Sequence, residues 1–122
     1  MSGTGVDPML EMDTWLDGGR LVVELVGELD VYTARSLRGA LDQTPRDDRR
    51  RIAVEMSRLD FLDSSGLGVL VGATKHAQSL GGGLCMVRPK DRILKTLRIT
   101  GLIRVIPPFD DLPKAFAWLD AL

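Results

Sequence analysis

Strand-like and helix-like hydrophobic patterns alternate along most of the chain, and this alternation constrains the fold more than any other feature. Two strand patterns, at residues 9–16 and 20–26, flank an Asp-Gly-Gly turn signal at residues 17–19 and predict an antiparallel hairpin. After the hairpin, helix and strand patterns alternate strictly. The predicted order is β-β-α-β-α-β-α-β-α, which favours an α/β fold with a mostly parallel sheet and one antiparallel edge strand.

The later elements are predicted from hydrophobic periodicity and from residues that start or stop helices. Strands are predicted at residues 52–56, 84–87 and 103–106, and helices at residues 64–80 and 90–100, after Thr33 and after Asp111. Gly101 fits the left-handed position that follows the third helix. Gly68 and Gly72 fall inside the second helix, and we expect them to let that helix lie close on the sheet.

The length of 122 residues predicts a single domain. Residues 1–8 are mostly small and polar and predict a flexible N-terminal arm, which leaves residues 9–122 as the domain. No apolar stretch approaches the ~20 residues of a membrane span, and no basic segment precedes an apolar run at the N-terminus. The sequence therefore predicts a cytoplasmic protein without a membrane partner.

Composition excludes several classes of function. The formal net charge of -1 and the aromatic content of 5% argue against direct nucleic-acid binding. A single cysteine, Cys85, and a single histidine, His76, cannot form a cysteine-rich or histidine-rich metal site. His76 lies about 18 Å along the predicted helix from Ser64, too far to activate it as a nucleophile. Cys85 is expected to be a buried, inert thiol.

The most unusual segment is Asp-Ser-Ser-Gly-Leu-Gly at residues 63–68, which joins a predicted strand to a predicted helix. Asp63 or Ser64 can cap the helix, and a good capping sequence is one complete explanation of the segment. A cap, however, requires neither the second serine nor Gly66 and Gly68, each of which costs roughly 1 kcal/mol relative to alanine inside a helix. A serine exposed at such a turn is accessible to modification.

Residues 63–68 closely resemble the motif of the bacterial anti-sigma factor antagonists, also called anti-anti-sigma factors, of the STAS domain family. Further matches follow in chain order between about residues 21 and 106. They are Gly-Glu-Leu-Asp at residues 27–30 with Thr-Ala at 33–34, Phe-Leu before Asp63, Arg-Ile-Leu at 92–94 and Arg-Ile-Thr-Gly-Leu at 98–102. The resemblance implies a single STAS-like domain.

The resemblance also implies a partner switch. In this family the unphosphorylated antagonist binds an anti-sigma factor that is also an ATP-dependent serine kinase, and binding frees the sigma factor. The kinase phosphorylates the serine after the motif aspartate, which releases the antagonist, and a serine phosphatase resets it. Carried onto this sequence, the resemblance makes Ser64 the phosphoacceptor, surrounded on the partner-binding face by Asp30, Asp63, Ser65 and Gly66. It implies no enzymatic activity, no metal and no cofactor, since the ATP belongs to the partner.

Elementary physical arguments agree with that site. The carboxyl ends of parallel strands open on one edge of a sheet, so the loops at Asp30 and Asp63 should meet there. We expect a phosphate on Ser64 to be repelled by these carboxylates and partly stabilised by free N–H groups at the helix start.

Two other functions remain open at the level of the sequence. One is a STAS scaffold or sensor module without sigma-linked phosphorylation. The other is a small nucleotide-binding protein that uses Gly66, Gly68 and Gly72. Their G-x-G-x-x-x-G spacing departs from the G-x-G-x-x-G dinucleotide motif, so the support for this alternative is weak.

Overall fold

Six strands form one sheet and follow each other across it in chain order. The computed structural model describes residues 2–7 and 9–122, with side chains for residues 9–122. In the described part, the strands are β1 (Ser2–Asp7), β2 (Leu10–Asp17), β3 (Arg20–Leu29), β4 (Arg51–Leu62), β5 (Gly83–Val87) and β6 (Pro108–Phe109), and the α-helices are α1 (Ala34–Gln43), α2 (Ser64–Ser79), α3 (Asp91–Thr100) and α4 (Leu112–Asp120). The pairs β1–β2 and β2–β3 are antiparallel, and the pairs β3–β4, β4–β5 and β5–β6 are parallel.

The first strand lies where the sequence predicts a flexible arm. Ser2–Asp7 pairs with β2 along its whole length, from Ser2 opposite Trp15 to Asp7 opposite Leu10. The antiparallel edge therefore has two strands instead of the one predicted. The mostly small and polar residues of β1 have no strand-like pattern of their own, so this strand forms through its backbone pairing with β2. Met1 and Pro8, also assigned to the arm, lie outside the described residues.

The two faces of the sheet are covered unequally. Helices α1, α2 and α3 pack on one face over a large apolar core that includes Leu25, Met56 and Leu70. Helix α4 alone packs on the other face, over a smaller cluster of Ala53, Cys85, Val87, Ala115 and Leu119. Cys85 is fully buried there, and desolvation raises the pKa of its thiol to about 12, which agrees with the expected inert thiol.

The strand predicted at residues 103–106 is wrong. Leu102–Arg104 is a short 3-10 helix that follows the left-handed Gly101, whose φ is 76°. The backbone N–H groups of Val105 and Ile106 donate back to the carbonyl of Leu102, so they are not available for pairing with a strand. The short strand β6 begins only after this turn. Ile106 is buried and Ile103 is half-buried, whereas Arg104 and Val105 are exposed, so these residues form a surface turn anchored to the core by its isoleucines.

Glycines in α2 do not all act as expected. A Cβ at Gly66 would lie 2.6 Å from Leu29 Cγ and 2.8 Å from Leu62 Cδ1, so Gly66 allows the helix start to lie against the ends of β3 and β4. A Cβ at Gly68 or Gly72 would meet nothing within 4 Å. The predicted role in close packing is therefore wrong for Gly68 and Gly72, because both lie on the exposed side of the helix.

Candidate functional site at the carboxyl edge of the sheet

The turns that follow β3 and β4 lie side by side. The two strands are parallel neighbours, and Leu29 pairs with Leu62 at their carboxyl ends. We call residues 30–33 the β3 turn and residues 63–66 the β4 turn. Because Leu29 and Leu62 are partners in the sheet, the residues that follow them, Asp30 and Asp63, lie at the same edge. The sequence prediction that these two residues share one edge is therefore confirmed.

Asp63 caps helix α2. Its Oδ1 accepts hydrogen bonds from the backbone N–H groups of Ser65, at 2.9 Å, and Gly66, at 3.0 Å. Its carbonyl oxygen accepts from the N–H of Leu67 at 2.9 Å. The two side-chain contacts satisfy two of the donors that a helix start otherwise leaves without intrahelical partners, and the bond from Leu67 is the first regular bond of the helix.

Asp63 also connects the two turns. Its second carboxylate oxygen, Oδ2, accepts a hydrogen bond from the backbone N–H of Val31 at 3.1 Å. Its own backbone N–H donates to the carbonyl of Leu29 at 3.1 Å. One residue therefore starts the helix, extends the β4 turn toward β3, and holds the β3 turn beside it.

The side chain of Asp30 holds only its own turn, although its carbonyl oxygen accepts from the N–H of Ala34 at the start of α1. Its Oδ1 accepts from the backbone N–H groups of Tyr32, at 2.8 Å, and Thr33, at 3.0 Å. The buried Thr33 makes no side-chain cap bond to α1; its hydroxyl donates to the carbonyl of Glu28 and accepts from the N–H of Asp30. Thr33 precedes α1 and is of a residue type that often caps helices, but here its side chain closes the turn before the helix.

The two serines of the motif differ in accessibility. Ser64 is the first residue of α2 and is exposed, whereas Ser65 is half-buried. Gly66 is buried beneath the helix start. The structure brings Asp30, Asp63, Ser64, Ser65 and Gly66 to one edge, as expected from the sequence, and leaves Ser64 as the more accessible hydroxyl.

Apolar side chains flank this edge, and the sequence analysis did not identify them. Val31 is 56% exposed, Tyr32 82% and Phe61 40%. Val31 and Tyr32 lie in the β3 turn, and Phe61 lies two residues before the cap of α2. The signal that could have found them is the placement of apolar residues in a turn next to a candidate site, where no core position needs them.

The electrostatics of the edge differ from the expectation in one respect. The N–H groups of Ser65, Gly66 and Leu67 already donate to Asp63. A phosphate on Ser64 would therefore find the N–H groups of Ser65 and Gly66 already engaged, which weakens the local stabilisation expected for it. The repulsion from the Asp63 carboxylate has no comparable compensation.

Asp60 is another carboxylate of β4 at this edge, and it is paired with a cation. The Lys90 ammonium donates a hydrogen bond to Asp60, and this bond together with the charge of Lys90 holds the pKa of Asp60 below its usual value. Asp60 is thus compensated by a side-chain charge, whereas Asp30 and Asp63 are compensated by backbone N–H groups.

The occupied helix start also bears on nucleotide binding. A phosphate cradle needs backbone N–H groups that point at the ligand, and those of Ser65 and Gly66 point at Asp63.

Within residues 9–122, no three His, Cys, Asp or Glu side chains are grouped so as to hold a metal ion. No helix in the described part of the chain has the length and apolar character needed to cross a membrane.

Known proteins match both the sequence and the fold. The family model of the STAS domain matches residues 12–115. The anti-sigma F factor antagonist of Paenibacillus polymyxa is 31% identical over 105 residues, which are 85% of this chain and 90% of that protein. The anti-sigma-B factor antagonist of Staphylococcus aureus is 38% identical over 80 residues, which are 66% of this chain and 74% of that protein.

A solved structure matches the fold over nearly the whole chain. The anti-sigma factor antagonist SpoIIAA in its unphosphorylated form has a TM-score of 0.74 at 20% identity. The match covers 91% of this chain and 97% of the SpoIIAA chain. The phosphorylated form of Bacillus SpoIIAA has a TM-score of 0.64 at 21% identity, with coverage of 82% and 92%. At these identities the likeness concerns the fold.

Proposed function

This chain belongs to the STAS domain family, and we propose that it is an anti-sigma factor antagonist switched by phosphorylation of Ser64. In the unphosphorylated form it binds an anti-sigma factor and so frees a sigma factor. The anti-sigma factor is also a serine kinase that uses ATP, and a serine phosphatase returns the antagonist to its binding form. The chain itself is a regulatory binding protein of the cytoplasm and not an enzyme.

One observation carries the proposal. The exposed Ser64 is the first residue of α2, directly after the Asp63 cap, and it lies at the same edge as the exposed Val31 and Tyr32. A kinase can reach a hydroxyl at this position without unfolding the helix. A partner that covers Tyr32 would also cover Ser64.

The apolar residues supply the contact area of the binding face. Large side chains that are exposed in a free protein often become the central contacts of an interface, and tyrosine is enriched among the residues that dominate binding energy. Tyr32 and Val31 have this character, and Asp30 and Asp63 hold the β3 turn that presents them. The aspartates therefore contribute mainly by positioning the turn.

Phosphorylation opposes binding through charge. A phosphoserine carries about -1.5 to -2 charges. One phosphate charge about 6 Å from a carboxylate of the partner would be repelled by roughly 3 kcal/mol at an effective dielectric constant of ~20, whereas the repulsion from Asp63 is present in the free protein as well. Half of that value exceeds the ~1.4 kcal/mol that corresponds to a tenfold change in affinity. Since the N–H groups at the helix start are engaged by Asp63, the added charge must be accommodated by the partner or by solvent.

The first experiment identifies the acceptor. The wild-type protein, Ser64→Ala and Ser65→Ala are each incubated with ATP and an extract of the native cells, and phosphate is located by mass spectrometry of the peptides. We expect phosphate on Ser64 in the wild type and in Ser65→Ala, and none in Ser64→Ala. Phosphate on Ser65 in the wild type would overturn the assignment, and no kinase-dependent label on either serine would favour the scaffold or sensor alternative.

The second experiment tests the switch. Immobilised Ser64→Ala protein captures the partner from the same extract, and the purified partner is then titrated with wild type, Ser64→Ala and Ser64→Glu by calorimetry. Ser64→Ala should bind as the wild type does, because the hydroxyl is a small part of the interface. We expect Ser64→Glu and the phosphorylated protein to bind at least tenfold more weakly. Equal affinity for the phosphorylated and unphosphorylated proteins would reject the proposal.

A further inference from the structure

An open groove with a volume of about 300 Å³ lies between α1 and α2. It is separate from the carboxyl edge, since its residues on α2 run from Gly68 to His76, between about one and three turns beyond Ser64. Leu41, Ile52, Val69 and Ala73 form its apolar lining. The partner switch uses none of these residues.

The groove is open because α2 has glycine at two of the positions that line it. Gly68 and Gly72 both line the groove, and a Cβ at either position would meet nothing within 4 Å. Glycine inside a helix costs roughly 1 kcal/mol relative to alanine, and here neither glycine is needed for helix packing. The effect of the two glycines is the open space of the groove beside α2.

The polar lining of the groove is mainly basic. Arg38 from α1, Arg49 from the loop before β4 and His76 from α2 surround it, with Asp42 as the one carboxylate that lines it. Asp42 is 3.8 Å from Arg49 and its side chain is 69% exposed, so it neutralises Arg49 weakly. An oxyanion in the groove would find two guanidinium groups against one solvated carboxylate.

Two of these basic side chains also have unsatisfied nitrogen atoms. Arg49 Nε and His76 Nε2 are buried and have no hydrogen-bond partner among residues 9–122. Buried polar groups without partners are rare in folded proteins, and each one requires an explanation. Both side chains line the groove, so a change of rotamer would turn these nitrogen atoms toward acceptor oxygens of a ligand bound between α1 and α2.

We propose that this groove binds a small organic oxyanion, with a phosphate or carboxylate group held by Arg38, Arg49 and His76 and an apolar part on Val69 and Ala73. The volume lies at the lower end of the range for small-molecule sites, and a few convergent polar groups above an apolar lining are their usual composition. Phosphate and carboxylate groups both carry negative charge and present two oxygen atoms that can accept a bidentate pair of hydrogen bonds from the planar guanidinium of arginine.

The test uses phenyl phosphate and benzoate as probes and benzyl alcohol as the neutral control, at constant ionic strength. Amide chemical shifts of the isotope-labelled protein are followed during each titration. We expect saturable shifts centred on Gly68, Gly72 and Ala73 with at least one of the two anions and none with benzyl alcohol. The tighter of the two anions identifies the headgroup as phosphate or carboxylate.

Variants then separate the groove from general anion binding. Gly72→Leu fills the groove and should abolish the shifts, whereas Gly39→Leu, a matched change on α1 outside the groove lining, should leave them intact. Arg49→Gln should weaken binding about tenfold, since hydrogen bonds to charged groups are among the stronger ones. Asp42→Asn should strengthen binding by removing the opposing charge.

Three results would overturn the proposal. These are the absence of saturable shifts at millimolar probe, shifts confined to residues 64–66 at the start of α2, and unchanged affinity in Arg49→Gln. If Gly72→Leu does not fold, the double variant Arg38→Gln/Arg49→Gln, with changes in side chains outside the apolar core, serves in its place. Phosphorylation of Ser64 is measured separately, so failure here leaves the partner switch untouched.

Discussion

The two turns at the carboxyl edge of the sheet each contain an aspartate that accepts two backbone hydrogen bonds from its own turn, but they differ in what else they hold. Asp30 acts within the β3 turn, through the N–H groups of Tyr32 and Thr33. Asp63 acts within the β4 turn and also accepts from Val31 in the β3 turn. The β4 turn therefore supports both itself and its neighbour, and damage to it should spread further.

The largest expected effect is that of Asp63→Ala. The substitution removes a helix cap, worth about 0.5–2 kcal/mol, and also the hydrogen bond from Val31, worth about 0.5–1.5 kcal/mol, so we expect a loss of about 1–3.5 kcal/mol in the free energy of unfolding. Urea unfolding followed by circular dichroism measures it. Asp63→Asn keeps an acceptor for the cap and should lose less than half as much. Equal losses in the two variants would show that the connection between the turns matters more than the cap.

Gly66→Ala comes next. Its Cβ would lie 2.6 Å from Leu29 Cγ, and overpacking of this kind costs about 1–3 kcal/mol, of which helix propensity returns about 1 kcal/mol. We expect a net loss of up to about 2 kcal/mol in the free energy of unfolding. Gly68→Ala is the matched control, with the same change two residues later and no contact within 4 Å, and it should be neutral or stabilising by up to about 1 kcal/mol. Thermal and urea unfolding of both variants measures this difference. A loss of stability in Gly68→Ala equal to that in Gly66→Ala would contradict the prediction.

Asp30→Ala should lower the free energy of unfolding by about 1 kcal/mol, which is less than the loss expected for Asp63→Ala. It removes only bonds within the β3 turn, and the hydroxyl of Thr33 still bonds to the carbonyl of Glu28. Amide exchange offers a sharper test than global stability. Protection should fall at Tyr32 and Thr33 while Ser65 and Gly66 keep theirs. Loss of protection in the β4 turn as well would contradict the proposed difference between the turns.

The smallest effect on stability is expected for Tyr32→Ala. The side chain is 82% exposed, so the free energy of unfolding should change by less than about 0.5 kcal/mol. Affinity for the anti-sigma factor should nevertheless fall about tenfold or more if Tyr32 lies at the centre of the interface. Calorimetric titration gives the affinity. The control is Ile99→Ala, which removes an exposed apolar side chain on α3, away from the carboxyl edge, and should bind normally. Normal binding by Tyr32→Ala would remove Tyr32 from the proposed face.

The elements that the sequence predicts well are those with local chemical signals. Helices α2 and α4 begin after Asp63 and Asp111, and both carboxylates accept bonds from the helix start. Gly101 ends α3 in the left-handed conformation, as its position after an amphipathic run indicates. Caps and left-handed glycines are decided by their immediate neighbours, so a single sequence carries enough information.

The elements that the sequence misses depend on distant partners. Strand β1 exists through pairing with β2, and a run of small polar residues gives no sign of it. Residues 103–106 have strand-like composition but are held in a turn by bonds to Leu102. In the site, the sequence places Ser64 and Asp63 at one edge but not the bond from Val31 to Asp63, because that bond depends on the register of β3 against β4.

The shortness of β6 has a consequence for how the protein behaves in a crowded solution. A sheet edge with free N–H and C=O groups can recruit a strand from another molecule, and such pairing starts aggregation. At the β6 edge, the two residues of the strand follow Pro107 and include Pro108, and proline has no N–H to donate. An edge of two residues, one of them proline, offers few backbone donors to an incoming strand, so a concentrated antagonist is less prone to irreversible self-association through it.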